Sequence, residues 1–352
     1  MKYFYIVFLL TGILLFNSCI KDAPPDPEAD IESFVVDTSQ LTGDVFIDQA
    51  NRRIMLYLKQ EAYDSGIVPK ITISKGASIS PVSGDTLHFG NGKISYTVTS
   101  ENGVNQKVYT VQVVDVGNWV FNFEKWMQNS ADKYEYPIED GNIVLWSSGN
   151  AGVALSGITK APDNYPTHST PNGLQGTTAA EMVTLNGTSL SAIVGIHLFA
   201  GSLFLGNFNS AVAFTQPLTA TQFGQPYVGA PARFTGYYKY AAGANYQDAS
   251  GNIVTGVQDQ CSIYAVLFKG PGRLDGTNVL TSDLIIAKAI LPDGSPKSDF
   301  TKFDIPFTYV AGADTTGNLM IAIVASSSKD GDTYKGAVGS TLIVDSLRII
   351  HY

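Results

Sequence analysis

The sequence predicts an all-β protein built as two sandwiches, a small one followed by a larger one. Three observations point there. Apolar residues recur with period two, and no window sustains a 3.6-residue period, so strands bury the hydrophobic surface. Gly, Asn, Asp and Pro interrupt the alternation, as turns between short strands require. The length of 352 residues suits about two domains. The composition is that of a folded chain: 44% hydrophobic, 11% aromatic and only 15% charged, so apolar burial can offset the entropy of ordering. Lys+Arg number 22 against 31 Asp+Glu, a net charge of −9. That acidic balance argues against a nucleic-acid partner, which would need a basic surface to release counterions. Two cysteines exclude a disulfide framework and any multi-cysteine metal site. Four scattered histidines argue against a catalytic zinc centre.

The N-terminus reads as an address. Met1-Lys2 is followed by an apolar run from Phe4 to Phe16. That run is too short for a bilayer, which needs ~20 residues, and suits the core of a signal peptide. It ends in Phe16-Asn17-Ser18-Cys19, which resembles a bacterial lipoprotein lipobox. The resemblance implies a signal peptide over residues 1–18, cleavage after Ser18 and acylation of Cys19. Asn17 departs from the usual lipobox but is similar to variants in Bacteroidetes lipoproteins. The alternative is an incidental cysteine in an ordinary signal. Residues 19–30 carry three prolines and four acids and read as an extended, self-repelling tether. Acids close behind the cysteine resemble the surface-export signal of Bacteroidetes lipoproteins, which implies the outer membrane, on its cell-surface side. The membrane would then be a partner through the lipid anchor alone.

The first block spans residues 31–116. Ile54–Leu58, Lys70–Ser74, Ser95–Thr99 and Val108–Val113 read as strands, and Glu101-Asn102-Gly103 as a turn. Strands of this length and spacing suggest a small sandwich. The run from Pro69 through Ser74, Gly76 to Gly84 and on to Tyr109-Thr110-Val111 resembles the immunoglobulin-like N-terminal domains of Bacteroides surface lipoproteins. The resemblance implies a spacer. His88 reads as a loop residue.

The second block, residues 117–352, is large for an immunoglobulin-like unit and ordinary for a jelly roll. Strands are expected over Val194–Phe199, Ala232–Tyr240, Cys261–Lys269, Leu284–Ala289, Leu319–Ala325 and Thr341–Ile350, with some helix at Thr177–Met182. Segments such as Asn122-Phe123-Glu124-Lys125-Trp126, Leu145-Trp146-Ser147-Ser148-Gly149-Asn150, Gly236-Tyr237-Tyr238-Lys239-Tyr240 and Gly336 to Asp345 resemble the Bacteroidetes "putative carbohydrate metabolism domain". The resemblance covers the whole block. It implies a jelly roll similar to carbohydrate-binding modules, with glycoside hydrolase relatives, a carbohydrate partner and neighbouring surface glycan-utilisation proteins.

The residues add their own indications. In the closing strand both faces are apolar, so the strand is expected to be central and Asp345 must be paired, hydrogen-bonded or metal-bound. The opening strand is expected to carry Glu124 after Phe121-Asn122-Phe123, and with Asp345 near the closing strand this resembles a structural calcium site of carbohydrate-binding jelly rolls, where a hard cation takes oxygen ligands. The alternative is that both carboxylates cap loops. Sugar rings offer apolar faces to aromatic side chains. Trp126, Trp146, Tyr237, Tyr238 and Tyr240 are the aromatic candidates, and the alternative for each is a core position. On Ala232–Tyr240 the set Arg233, Thr235, Tyr237 and Lys239 shares one face, a polar mixture suited to ligand contact. Asp259 is the remaining acid of interest. No carboxylate dyad can be named for hydrolysis. His168 reads as a loop residue, His197 as a core histidine, Trp119 as packing and Cys261 as a buried thiol. Three functions remain open: glycan binding, glycoside hydrolysis, and a structural or adhesive surface role.

Overall fold

The computed structural model describes residues 24–351 apart from 50, 90–93, 114–118, 140–142, 175–176, 214 and 271. The signal peptide and Cys19 lie outside the described residues. Both blocks are all-β, as the alternation predicts.

In the first block a five-stranded sheet runs in the order Leu41–Asp48, Arg53–Leu58, Gln106–Val113, Ile94–Thr99, Ser78–Ser80, and a two-stranded sheet pairs Ile31–Val35 with Lys70–Ile73. Their facing side chains, among them Phe34, Ile54, Leu56, Tyr96 and Val98, form one core. The end of the tether belongs to this domain. Ala29 is fully buried, Asn105 donates to the Pro27 carbonyl, and Asp30 receives Lys107 Nζ at 2.5 Å and Tyr109 Oη at 2.8 Å. The expectation of a free tether to residue 30 is corrected there: local hydrogen bonds outweigh the self-repulsion of its acids.

The second block is a sandwich of two antiparallel sheets. One runs in the order Leu274–Asp275, Thr221–Phe223, Ser202–Phe208, Leu319–Ser326, Ser262–Lys269, Ile285–Ile290, Thr308–Tyr309, with Trp146–Ser148 and Gln225–Tyr227 added at its sides. The other runs in the order Thr167–Thr170, Ala179–Val183, Thr341–His351, Pro231–Ala241, Lys297–Pro306. Val120–Phe121 pairs with Thr341–His351, so the first and last strands of the domain are neighbours. Leu203, Leu205, Ile263, Leu267, Phe234 and Val344 meet between the sheets. The closing strand is central, with partners on both sides.

Two expectations are corrected. Residues 179–183 form a strand, not a helix; their burial alternates once they pair with Thr341–His351. Only Leu198–Phe199 of the expected 194–199 strand forms, because a helical turn at Ser189–Ala192 with a Thr188/Ser191 capping box uses the chain before it.

Strand Arg53–Leu58 explains how the blocks join. Ile54 and Leu56 enter the first core, and Met55 and Tyr57 enter the core of the second. Alternation therefore gives one strand to two domains. Beside it Asp48 accepts Arg53 Nη2 at 2.8 Å and Arg273 Nη2 at 3.3 Å. Arg53 also reaches the Val144 carbonyl, Arg273 donates to the Gly224 carbonyl, and Asn51 donates to Asn207 at 2.8 Å. The Arg273 guanidinium lies 4.9 Å from the Phe46 ring centroid. The first domain is thus docked on the second. Burial would raise the Asp48 carboxyl, but the Arg273 and Arg53 charges outweigh it and hold the group down to about 2.

Asp48→Ala should strand two guanidinium groups in a dry interface and cost about 3–5 kcal/mol. Calorimetry should then resolve two transitions; one unchanged transition would contradict the coupling. The depressed carboxyl contributes fully above the unfolded value near pH 4 and loses its contribution as pH falls toward 2, so acid should uncouple the domains in that window.

Candidate functional site

Strand Pro231–Ala241 has two unlike sides. Phe234, Tyr238 and Tyr240 are buried between the sheets. Arg233, Thr235, Tyr237 and Lys239 therefore stand on the outer face of the sheet. Tyr237 is half-buried and Lys239 exposed. Lys302 lies directly opposite Tyr237, and Arg348 and Asp304 lie opposite Thr235; all three are exposed. Arg233 Nε contacts Asp304 Oδ1 at 2.5 Å. Gly236 keeps this arrangement possible on the buried side, where a Cβ would meet Leu347 at 2.6 Å and Phe303 at 2.9 Å.

The face continues onto the neighbouring strands. Lys239 is opposite Ile343, Ile343 opposite Glu181, and Glu181 opposite His168. His168 Nε2 is 3.5 Å from Glu181 Oε1, and its Nδ1 is 3.1 Å from the Tyr165 carbonyl. Burial works against the imidazolium, yet the hydrogen bond and charge of Glu181 raise the His168 pKa above its ordinary value. The reading of His168 as a loop residue is corrected. Thr167-His168-Ser169-Thr170 carries no apolar alternation, and only its pairing with Ala179–Val183 makes it a strand.

Asp345 sits where the closing strand bulges. Ser346 takes a φ of 52°, and the register shifts between the Thr235 and Tyr237 pairs. Asp345 is buried; its Oδ2 accepts Leu174 N–H at 2.8 Å and its Oδ1 accepts Ser346 Oγ at 3.1 Å. Glu124 is exposed and accepts Thr178 N–H at 3.1 Å. The loop between Thr170 and Ala179 is thus tied to both carboxylates. Burial raises the Asp345 pKa, and the nearby Glu124 charge adds to the rise. The pair offers oxygen donors only, the chemistry a hard cation takes. Among the described residues no group of three or more His, Cys, Asp or Glu side chains gathers as a metal site.

The other candidates are placed elsewhere. Trp146 is a core residue, 2% exposed, edge-on to Phe121 at 4.9 Å and donating to Glu139 at 3.2 Å. Tyr238 and Tyr240 are core residues too. Trp126 is half-buried on the hairpin Trp126–Gln128/Glu135–Pro137, with its indole N–H on the Phe123 carbonyl. Asp259 is corrected from ligand contact to an internal staple. Its Oδ2 accepts Ser328 Oγ at 2.6 Å, Ala337 N–H at 2.7 Å and Ser340 Oγ at 2.7 Å, and its Oδ1 accepts Gln260 N–H at 2.8 Å. Gly336 lies against it, where a Cβ would meet Ser328 Oγ at 2.4 Å. Trp119 packs at 5.1 Å from Tyr227, and Cys261 is a buried free thiol whose pKa burial pushes up to about 12. His197 is half-buried in a short strand-flanking segment. Beside the outer face a groove of about 720 Å³ opens between the edge strand Lys297–Pro306 and the other sheet, lined by Lys302, Asp304, Ile290, Pro306, Tyr309 and Val310 among others.

Residues 122–350 match the "Putative carbohydrate metabolism domain" family, and residues 31–113 match the "SGBP, N-terminal" family, the first domain of surface glycan-binding proteins. The chain belongs to the carbohydrate metabolism domain family. It is similar to the crystal structure of a putative glycoside hydrolase from Bacteroides thetaiotaomicron, with 35% identity, 94% of this chain and 99% of that one covered, and a TM-score of 0.74. A second putative glycoside hydrolase, from Bacteroides vulgatus, has 34% identity, covers 66% of this chain and 97% of its own, and has a TM-score of 0.60. No curated protein matches the chain.

Asp259→Ala should leave several buried donors unpaired at about 1–3 kcal/mol each. The melting temperature should fall markedly; an unchanged melt would contradict the staple.

Proposed function

We propose that the protein captures glycan at the bacterial surface and that the outer face around Tyr237 is where the sugar rests. The observation that carries this reading is the half-buried ring of Tyr237 among exposed polar side chains on a sheet face, in a domain of a carbohydrate-related family. Such a ring supports the apolar face of a pyranose while neighbouring polar groups orient its hydroxyls. Recognition is favoured over hydrolysis by the state of the acids. Asp345 is buried and held by a backbone amide, Asp304 pairs with Arg233, and Glu181 faces His168. A hydrolase needs two accessible carboxyl groups across one bond.

The remaining parts of the reading follow the same logic. Acylation of Cys19 would hold the protein at the outer membrane, since each buried methylene contributes ~0.8 kcal/mol. The docked first domain would then present the jelly roll in a defined orientation to surface glycan-utilisation proteins. Calcium held by Glu124 and Asp345 would neutralise two adjacent carboxylates and secure the loop over them.

Affinity electrophoresis of the two-domain protein in polysaccharide gels should show retardation that Tyr237→Ala abolishes without changing the melt. Sugar release from a retarding glycan would favour the hydrolase instead, and no retardation across a broad panel would reject capture. Calcium should raise the melting temperature, and Asp345→Asn should remove that rise; a melt indifferent to calcium and chelator would refute the metal. Cys19→Ser should release the protein from the membrane fraction of cells, and retention there would refute the anchor.

A further inference from the structure

The outer face carries a charge pattern that narrows the ligand. The chain as a whole is acidic, at −9. Yet Lys239, Lys302 and Arg348 are exposed around Tyr237, and none of the ion pairs among the described residues engages them. Their placement is set by register. Lys302 is opposite Tyr237 across the pair of strands, Lys239 is two residues along the same face, and Arg348 is opposite Thr235, the preceding residue of that face. Opposite residues in a pair have Cβ atoms about 4.5–5.5 Å apart and diagonal ones about 7–8 Å, so Lys302 stands directly beside Tyr237 while Lys239 and Arg348 flank it one position further away.

The acids of the same face are each engaged by a hydrogen bond or an ion pair. Asp304 is 2.5 Å from Arg233, and Glu181 faces His168. Asp345 is buried and accepts the Leu174 amide. Asp345 lies opposite Tyr237 on the closing strand, and Glu124, exposed and near Asp345, accepts the Thr178 amide. Lys239, Lys302 and Arg348 are thus the cations beside the Tyr237 ring that no ion pair engages, and neutral hydroxyls do not require such charges.

Resting on the glycan-capture reading, we propose that the ligand is an anionic glycan, carrying carboxylate or sulfate groups, with a ring on Tyr237 and its charges met by Lys239, Lys302 and Arg348. Lys302 also lines the groove beside the edge strand Lys297–Pro306, so a chain crossing Tyr237 would continue into that groove. Arg348 can meet a carboxylate or sulfate with two parallel hydrogen bonds, and the lysines act as point charges.

The test is affinity electrophoresis and calorimetric titration of the two-domain protein against four polymers: polygalacturonate, chondroitin sulfate, neutral xylan and neutral mixed-linkage β-glucan. The expected result is binding to an anionic polymer, weakened at least about tenfold by Lys302→Ala combined with Arg348→Ala, or about 1.4 kcal/mol, and weakened again by salt as screening predicts. The two anionic polymers separate carboxylate from sulfate recognition. Binding to neutral polymers alone, insensitive to these substitutions, would overturn the inference and leave glycan capture standing. Binding to polyanions that Tyr237→Ala does not reduce would also overturn it, as mere charge attraction. Silence with all four polymers would overturn it together with the capture reading. Near-identical melts of the variants would exclude misfolding as the cause, and the Lys302 and Arg348 side chains are exposed.

Discussion

Side chains on a strand must alternate, and this constraint organises the whole jelly roll. Burying Phe234, Tyr238 and Tyr240 in the sandwich leaves Arg233, Thr235, Tyr237 and Lys239 no place but the outer face. The same rule acts on the closing strand, whose Leu342 and Val344 face the core while Ile343 and Asp345 face outward. The candidate surface is thus the reverse side of the core. Any register slip that ruined one would ruin the other.

The bulge at Ser346 shows how the rule is bent where chemistry gathers. An extra residue in the closing strand restores the inward direction of Leu347 after Asp345 has pointed out. Its cost is a left-handed backbone at a non-glycine residue. Hydrogen bonds from Leu174 and Ser346 to the carboxylate accompany it. The result ties the loop between Thr170 and Ala179 to the central strand on the outer face.

The first domain contributes more than height. Strand Arg53–Leu58 is buried on both sides because Met55 and Tyr57 enter the neighbouring core. Around Asp48 two guanidinium groups, one from each domain, share one carboxylate. Charges taken this far from water hold only when paired, so the junction resists bending. A surface protein built this way would carry its outer face at a set angle.

The local sequence determined the all-β class, the two-block division, the central closing strand, the buried Cys261 and the two faces of Pro231–Ala241, because all of these follow from period-two patterning and composition. It also made the opening strand and the strand of Asp345 ends of one site, and the two are neighbours, but the opening strand stops at Phe121 and Glu124 follows it outside any strand. Only the tertiary structure decided that Trp146 and Asp259 are interior, since a tryptophan in a short strand and an acid before one look alike whether covered or open. The pairing of His168 with Glu181 and the convergence of Lys302 and Arg348 on Tyr237 were equally invisible. Those residues lie far apart in the chain, and their meeting is a matter of strand order and register, which no local pattern encodes.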